Sequence, residues 1–351
     1  MATATLSDIL DAHTKEGELY ERLPDNKVRC YACGHRCLIL DGLRGICKVR
    51  FNRGGKLMVP TGYVAALQAD PTEKKPFFHF LPGSITLTFG MLGCDYHCSY
   101  CQNWLTSQTL RDPAAGIEPE LVSAREMVDI ALRRGAQVIG SSYNEPLITS
   151  EWAVEVFRLA REKGLKTLYV SNGNATREVL EYLRPWLDGY KVDLKSMSEK
   201  NYRRLGGQLS RVLEGIRMAV EMGFWVEVVT LVVPGFNDSD EELWQAAEFL
   251  ASVSRDIPWH VTAFHKDYKM TDLDNTPPQT LLRAASIGKE AGLRYVYAGN
   301  LPGRVRNLES TFCPACGEPL VERLAYRIDQ YRLQPGGRCP KCSTAIPGIW
   351  W

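Results

Sequence analysis

Residues 84–101 read SITLTFGMLGCDYHCSYC, and this stretch decides the fold. Ser84 to Gly90 are mostly β-branched, apolar or aromatic and end on glycine, the composition of a strand. The loop that follows carries Cys94, Cys98 and Cys101 in C-x3-C-x2-C spacing, with no fourth cysteine nearby. Structural zinc and iron–sulfur sites ordinarily take four protein ligands. Three thiolates leave a metal centre one ligand short, and an open position can bind a substrate or cofactor.

Downstream, helix-like and strand-like segments alternate. SAREMVDIALRRG is expected to be a helix, with Ser123 and Glu126 as a capping box, Met127, Val128, Ala131 and Leu132 as the apolar face, and Gly135 as its stop. SDEELWQAAEFLASV opens with a second capping box, Ser239 with Glu242. Strict alternation through short loops predicts a parallel sheet with right-handed crossovers. Six or more such repeats favour an α/β fold, a partial (β/α)6 TIM-like barrel, with a doubly wound open sheet as the competitor. The polar motifs YNEP, SNGN, VDLKS and PGFND each follow a strand, where chemistry collects in such folds.

The chain has 351 residues and a net charge of +1, which gives no reason to expect nucleic acid or an anionic membrane as partner. No uninterrupted apolar run is long enough to cross a bilayer, and the first residues lack the regions of a secretory signal, so a cytoplasmic location is expected. The eleven cysteines fall into three groups, with none between Trp104 and Phe312. An odd count without a secretion signal argues against a disulfide framework and for metals.

Cys313, Cys316, Cys339 and Cys342 form two C-x2-C knuckles, the pattern of a zinc ribbon, with a rubredoxin-like iron as the alternative. The final GIWW is expected to pack on the ribbon or the barrel. Cys30, Cys33, Cys37 and Cys47 suit one metal, zinc first and an auxiliary iron–sulfur cluster second; a cluster would relay electrons or hold a substrate. His35 is expected in the turn between them. The triplet's order is reversed, no strand precedes it, and Cys47 offers a fourth ligand, so the open site is not expected there. DPTEKKPFFHFLPGS reads as a loop whose Lys74, Lys75 and His79 would face an anionic ligand, or as a solvated loop anchored by Phe77 and Phe80. Three regions follow: 1–83, Cys-rich and metal-binding; 84–307, the barrel; 308–351, ribbon-like.

The C-x3-C-x2-C loop after a first strand resembles the signature of the radical S-adenosylmethionine (SAM) superfamily. That resemblance implies a 4Fe-4S cluster whose open iron chelates SAM, reductive cleavage of SAM to a 5′-deoxyadenosyl radical, and hydrogen abstraction from a substrate. Carried onto this chain, it places Tyr100 beside the adenine and Glu145 against the SAM ammonium. Tyr143 and Asn144 stand where the family often has glycines. Asn172 and Asn174 are candidates for the ribose or carboxylate, and Asp193 and Lys195 match the DLK of activating enzymes. His260 and His265 would position substrate or move a proton, or be satisfied structural residues.

The full order of motifs, from CxxCGHRC through DPTEKKPFFHFLPGS, YNEP, VDLKS and PWHVTAFHKDYKM to CPACG and IPGIW, resembles the AmmeMemoRadiSam-type proteins, relatives of the pyruvate formate-lyase activating enzyme. This implies an electron donor such as flavodoxin or ferredoxin, a small-molecule or protein substrate, and association with Memo-type and AMMECR-type proteins. It implies no specific reaction. An activating enzyme that installs a glycyl radical on a protein partner is the alternative, although the usual insert with two ferredoxin-like cysteine sets is missing. A non-catalytic metal scaffold or electron carrier would have no need for an open iron.

Overall fold

The structure is a computed structural model and describes residues 5–351. Its centre is an eight-stranded sheet: β1 (Ala66–Pro71), β2 (Ile85–Gly90), β3 (Val138–Ser141), β4 (Lys166–Ser171), β5 (Gly189–Asp193), β6 (Trp225–Val232), β7 (Trp259–Ala263) and β8 (Val296–Gly299). β1 runs antiparallel to β2, and every pairing from β2 to β8 is parallel. The strands lie in sequence order across the sheet. A doubly wound sheet reverses its order part-way so that helices cover both faces; sequential order with right-handed crossovers puts them all on one. The sheet is therefore the partial barrel, six strands β2 to β7 with β8 as a seventh.

The crossover helices are α1 (Ala124–Arg133), α2 (Ser150–Glu162), α3 (Arg177–Leu183), α4 (Leu209–Glu221), α5 (Asp240–Val253) and α6 (Pro278–Glu290). In α1 both arms of the capping box form: Ser123 Oγ accepts from Glu126 N at 3.2 Å and Glu126 Oε2 from Ser123 N at 2.8 Å. Ala124, Met127, Val128 and Ala131 face the sheet, whereas Leu132 is exposed, one helical step beyond that stripe. The second box forms only half. Ser239 caps α5, but the Glu242 carboxylate reaches across to the loop after β5, where Ser196 Oγ and Met197 N donate to it, the latter at 2.7 Å.

The division expected between residues 83 and 84 falls inside the β1–β2 hairpin, whose register pairs Leu67 with Phe89 and Pro71 with Ile85. The segment before it folds into two small antiparallel sheets. A buried ion pair pins them to α2, with Arg50 Nη1 and Nη2 each 2.7 Å from Glu151 oxygens and both side chains 1% exposed. The C-terminal ribbon is a three-stranded sheet, Thr311–Phe312, Pro319–Leu324 and Arg327–Tyr331. GIWW returns to the loop before β2: Leu81 N donates to Ile349 O at 2.7 Å, Ile349 N to His79 O at 2.8 Å, and Trp351 Nε1 to Pro82 O at 2.8 Å. No helix among the described residues is long and apolar enough to cross a membrane.

Candidate active site

The carboxyl ends of the parallel strands open on a solvent-connected cleft, the rim that this strand order makes available for chemistry. Cys98, Tyr100 and Cys101 line it, and Cys94 lies behind them, half-buried. The loop is held by its own backbone and by neighbours: Tyr96 N donates to Cys94 Sγ at 3.3 Å, and Ser107 Oγ lies 3.2 Å from Cys101 Sγ. These three sulfurs do not gather within 4.8 Å of one another. They are not drawn together as thiolates round one ion are, whereas on a cluster each thiolate holds a different iron. With no fourth cysteine in the loop, the donor set fits a 4Fe-4S centre with one iron free for SAM.

A buried acid inside this loop organises the rim. Asp95 is fully buried, and it accepts from Asn172 Nδ2 at 2.7 Å and Asn174 Nδ2 at 2.8 Å. Both asparagines expected to touch SAM thus tie the β4 loop to the cysteine loop through their side-chain amides. Glu145 is likewise turned inward. Its Oε1 accepts from Ser171 Oγ at 2.7 Å and Leu147 N at 3.1 Å, and its Oε2 from Asn172 N at 2.8 Å. Burial, and then the nearby Asp95, push its pKa up to about 8. Neither Glu145 nor Asn172 reaches the cleft wall.

Tyr100, Asp193 and Lys195 do reach it. Tyr100 packs edge-on against Phe236 with ring centres 5.7 Å apart. Lys195 Nζ sits 3.3 Å from Asp193 Oδ2, and Lys191 contacts the other carboxylate oxygen. Burial opposes the charge on Asp193, yet Lys191 and Lys195 hold its pKa below the usual carboxylate range.

Three wall residues were not anticipated. Tyr143 adopts φ +67°, a left-handed conformation that favours glycine, at the place where the resembled pattern has glycine. Its hydroxyl receives Lys75 Nζ at 2.8 Å. Lys191 comes from β5, where only its position two residues before Asp193 signalled it. Tyr326, from the ribbon hairpin, closes one side of the cleft, and nothing in its local sequence announces that. Lys74, Lys75, Lys191 and Lys195 all line the cleft, against Asp193 alone among wall carboxylates. Asp70, just behind, pairs with Lys74 at 2.9 Å and Lys75 at 3.2 Å.

The histidines divide. His260 is buried beneath the cleft with Nε2 2.7 Å from Glu227 Oε2, a satisfied structural pair. Glu227 also accepts from Phe78 N at 3.0 Å and His79 N at 2.9 Å. His79 is buried rather than facing a ligand; Nδ1 donates to Pro347 O at 2.7 Å and Nε2 accepts from Tyr297 Oη at 2.7 Å. His265 is exposed on the rim, 2.9 Å from Gln102 Nε2.

The C-terminal cysteines form a compact metal site. Their four sulfurs lie within 4.8 Å of one another, with Cys313 to Cys342 at 3.5 Å and Cys316 to Cys339 at 3.7 Å, the packing of thiolates around one tetrahedral ion.

Comparison with known proteins agrees with this geometry. Residues 89–250 match the model of the radical SAM superfamily. An uncharacterised protein of Methanocaldococcus jannaschii is 37% identical over 337 residues, spanning 95% of this chain and 98% of that one. The pyruvate formate-lyase 1-activating enzyme of Escherichia coli is 25% identical over 233 residues, 62% of this chain and 93% of the enzyme. A radical SAM methyltransferase from Sphaerobacter thermophilus superposes with a TM-score of 0.48 at 19% identity, over 68% of this chain and 71% of that one. The family match spans the barrel from the end of β2 through most of α5, and so includes the three-cysteine loop with Lys191, Asp193 and Lys195 of the rim, but not Lys74 or Lys75. With its sequential parallel sheet and its three thiols at the first strand's end, the chain carries a radical SAM domain, is an enzyme of that class and is homologous to the pyruvate formate-lyase activating enzymes.

Proposed function

We propose that Cys94, Cys98 and Cys101 hold the 4Fe-4S cluster and that the cleft beside them binds SAM and then a substrate. When bound, the cluster and SAM together supply reductive cleavage of the sulfonium and a 5′-deoxyadenosyl radical for hydrogen abstraction. The protein's own contribution is positional. Tyr100 offers a ring face to the adenine side, Asp193 offers a carboxylate for the ammonium or ribose, and Lys195 offers a cation for the carboxylate. Glu145, Asn172 and Asn174 act from behind, by fixing the β3 and β4 loops against the cysteine loop.

The observation that carries the reading is an incomplete thiol set, not gathered as round one ion, opening on a cleft at the strand ends. The lysine excess on the wall supports a substrate bearing a carboxylate or phosphate. The order of motifs supports an AmmeMemoRadiSam-type assignment, with Memo-type and AMMECR-type proteins as partners and a flavodoxin or ferredoxin as donor. Zinc fits the compact C-terminal site. Likeness to the activating enzyme supports a second reading, in which the substrate is a protein that receives a glycyl radical.

Anaerobic reconstitution followed by SAM and dithionite tests the first reading. The expected product is 5′-deoxyadenosine, lost in Cys98→Ala. A fully loaded cluster that forms none, even with cell extract as a source of substrate, refutes both readings.

A further inference from the structure

Cys30, Cys33, Cys37 and Cys47 have no task in the proposed chemistry. Contrary to the expectation that no strand precedes the triplet, Cys30 ends the strand Lys27–Cys30, and the turn back is closed by Cys30 N to Cys37 O at 3.0 Å and Arg36 N to Cys33 O at 3.0 Å. Cys30, Cys33 and Cys47 are buried and Cys37 half-buried. The four are neighbours: Cys33 lies within electrostatic reach of the other three.

The molecule carries its own scale for such sites. At the C-terminal tetrad all four sulfurs fall within 4.8 Å of one another. At the N-terminal tetrad, as at Cys94, Cys98 and Cys101, no three do. Thiolates on one ion share a small tetrahedron, whereas thiolates on a cluster each hold a separate iron and stand further apart. The N-terminal set, like the cluster loop and unlike the C-terminal tetrad, is thus not drawn together as thiolates round one ion are.

Its surroundings suit a larger anionic group. Arg50 lies beside Cys30 and Cys47. Glu151 and the Ile148 carbonyl occupy both terminal nitrogens of Arg50, and Nε is buried with no acceptor. The sulfides of a cluster add acceptors that a single ion lacks.

The tetrad also abuts the open site. Gly34 N donates to Asn174 O at 2.8 Å, so close that a Cβ on Gly34 would fall 2.2 Å from Asn174 Oδ1. His35 Nε2 is 3.9 Å from Asp95 Oδ2. A Cβ at Gly93, the residue before Cys94, would lie 3.0 Å from the Cys47 carbonyl oxygen. Arg111 joins the loops, donating to Ile46 O at 2.5 Å and Tyr96 O at 3.0 Å.

We propose that Cys30, Cys33, Cys37 and Cys47 hold a second, fully ligated 4Fe-4S cluster in place of zinc, and that it relays electrons to the cluster at Cys94, Cys98 and Cys101. The relay rests on the proposed active site for its acceptor; the second cluster does not. A flavodoxin-class donor loses one electron, the N-terminal cluster takes it and passes it on, and no bond or proton changes place.

The full chain is reconstituted anaerobically as wild type and as the Cys94→Ala/Cys98→Ala/Cys101→Ala variant, and iron, acid-labile sulfide and zinc are counted. About eight sulfides per wild-type chain and about four in the variant are expected, with a reduced-cluster EPR signal in both. A variant with no sulfide, or with two zinc ions and no sulfide, overturns the proposal. If that variant does not fold, Cys30→Ser/Cys33→Ser decides: loss of about four sulfides supports the second cluster, and no loss overturns it. For the relay, Cys30→Ser/Cys33→Ser should form 5′-deoxyadenosine at least about tenfold more slowly with reduced flavodoxin, while the dithionite-driven rate holds. Equal rates with flavodoxin overturn the relay. A variant that keeps four sulfides alongside a wild type that forms no 5′-deoxyadenosine retains the second cluster and refutes the active-site reading.

Discussion

Asp95, set between the first two cysteines of the open loop, accepts a hydrogen bond from the side-chain amide of Asn172 at 2.7 Å. Asn174 adds a second at 2.8 Å. Asp95→Ala strands both buried amides and should cost about 2–4 kcal/mol of stability in urea titrations. Iron retained at Cys94, Cys98 and Cys101 should fall with it, because the loop loses its tie to β4.

Tyr143 holds a left-handed backbone that only glycine adopts freely. Tyr143→Gly should therefore be more stable than Tyr143→Ala by about 1–2 kcal/mol, the reverse of the order seen inside a helix. Thermal melts of the pair test this. Tyr143→Phe, which removes only the hydroxyl partner of Lys75 and leaves its Asp70 pair, should leave the fold unchanged and raise KM for an anionic substrate.

The Arg50–Glu151 pair is buried at 1% exposure on both sides. Glu151→Gln leaves an uncompensated guanidinium and should cost about 3–5 kcal/mol, whereas Arg50→Met/Glu151→Met should cost less than either single change. A double-mutant cycle in denaturant measures the coupling.

His79 sets a pH dependence. Burial pushes its pKa from 6.5 down to about 4, so the folded chain holds it neutral. Between those values the unfolded chain binds a proton that the folded chain does not. Stability is complete above about pH 6.5 and falls by about 3 kcal/mol as pH drops towards 4. His79→Gln should flatten that slope in denaturation curves taken across the window.

Removing the C-terminal metal should free the tail first. Trp350 packs on His79 with ring centres 5.1 Å apart, and Trp351 donates to Pro82. Chelation, or Cys342→Ser, should expose residues 308–351 to limited proteolysis and red-shift tryptophan fluorescence, while the barrel's circular dichroism holds.

The barrel was legible because its signals are local. Glycine stops, capping residues and alternating apolar segments mark each βα unit, and the cysteine spacing marks the open loop. What escaped depends on contacts distant in sequence. Glu145 and Asn172 sit at the strand ends where cofactor ligands are expected, but their hydrogen bonds go to one another's loops and to Asp95. Glu242 matches a capping box, yet its carboxylate is drawn to Ser196 and Met197, which are brought near only by the sheet. The β1 strand went unread, and the boundary drawn at 83/84 from cysteine grouping runs between two strands that pair.

The sequential strand order also sets a timetable for synthesis. Each strand pairs with the one made just before it, so the sheet can lengthen unit by unit as the chain emerges. Cys94, Cys98 and Cys101 follow β2, while Asp193, Lys195 and Tyr326 arrive much later. The cysteine loop and the Lys74–Lys75 side of the cleft are thus made first, and the side that carries Asp193, Lys195 and Tyr326 is added to them later.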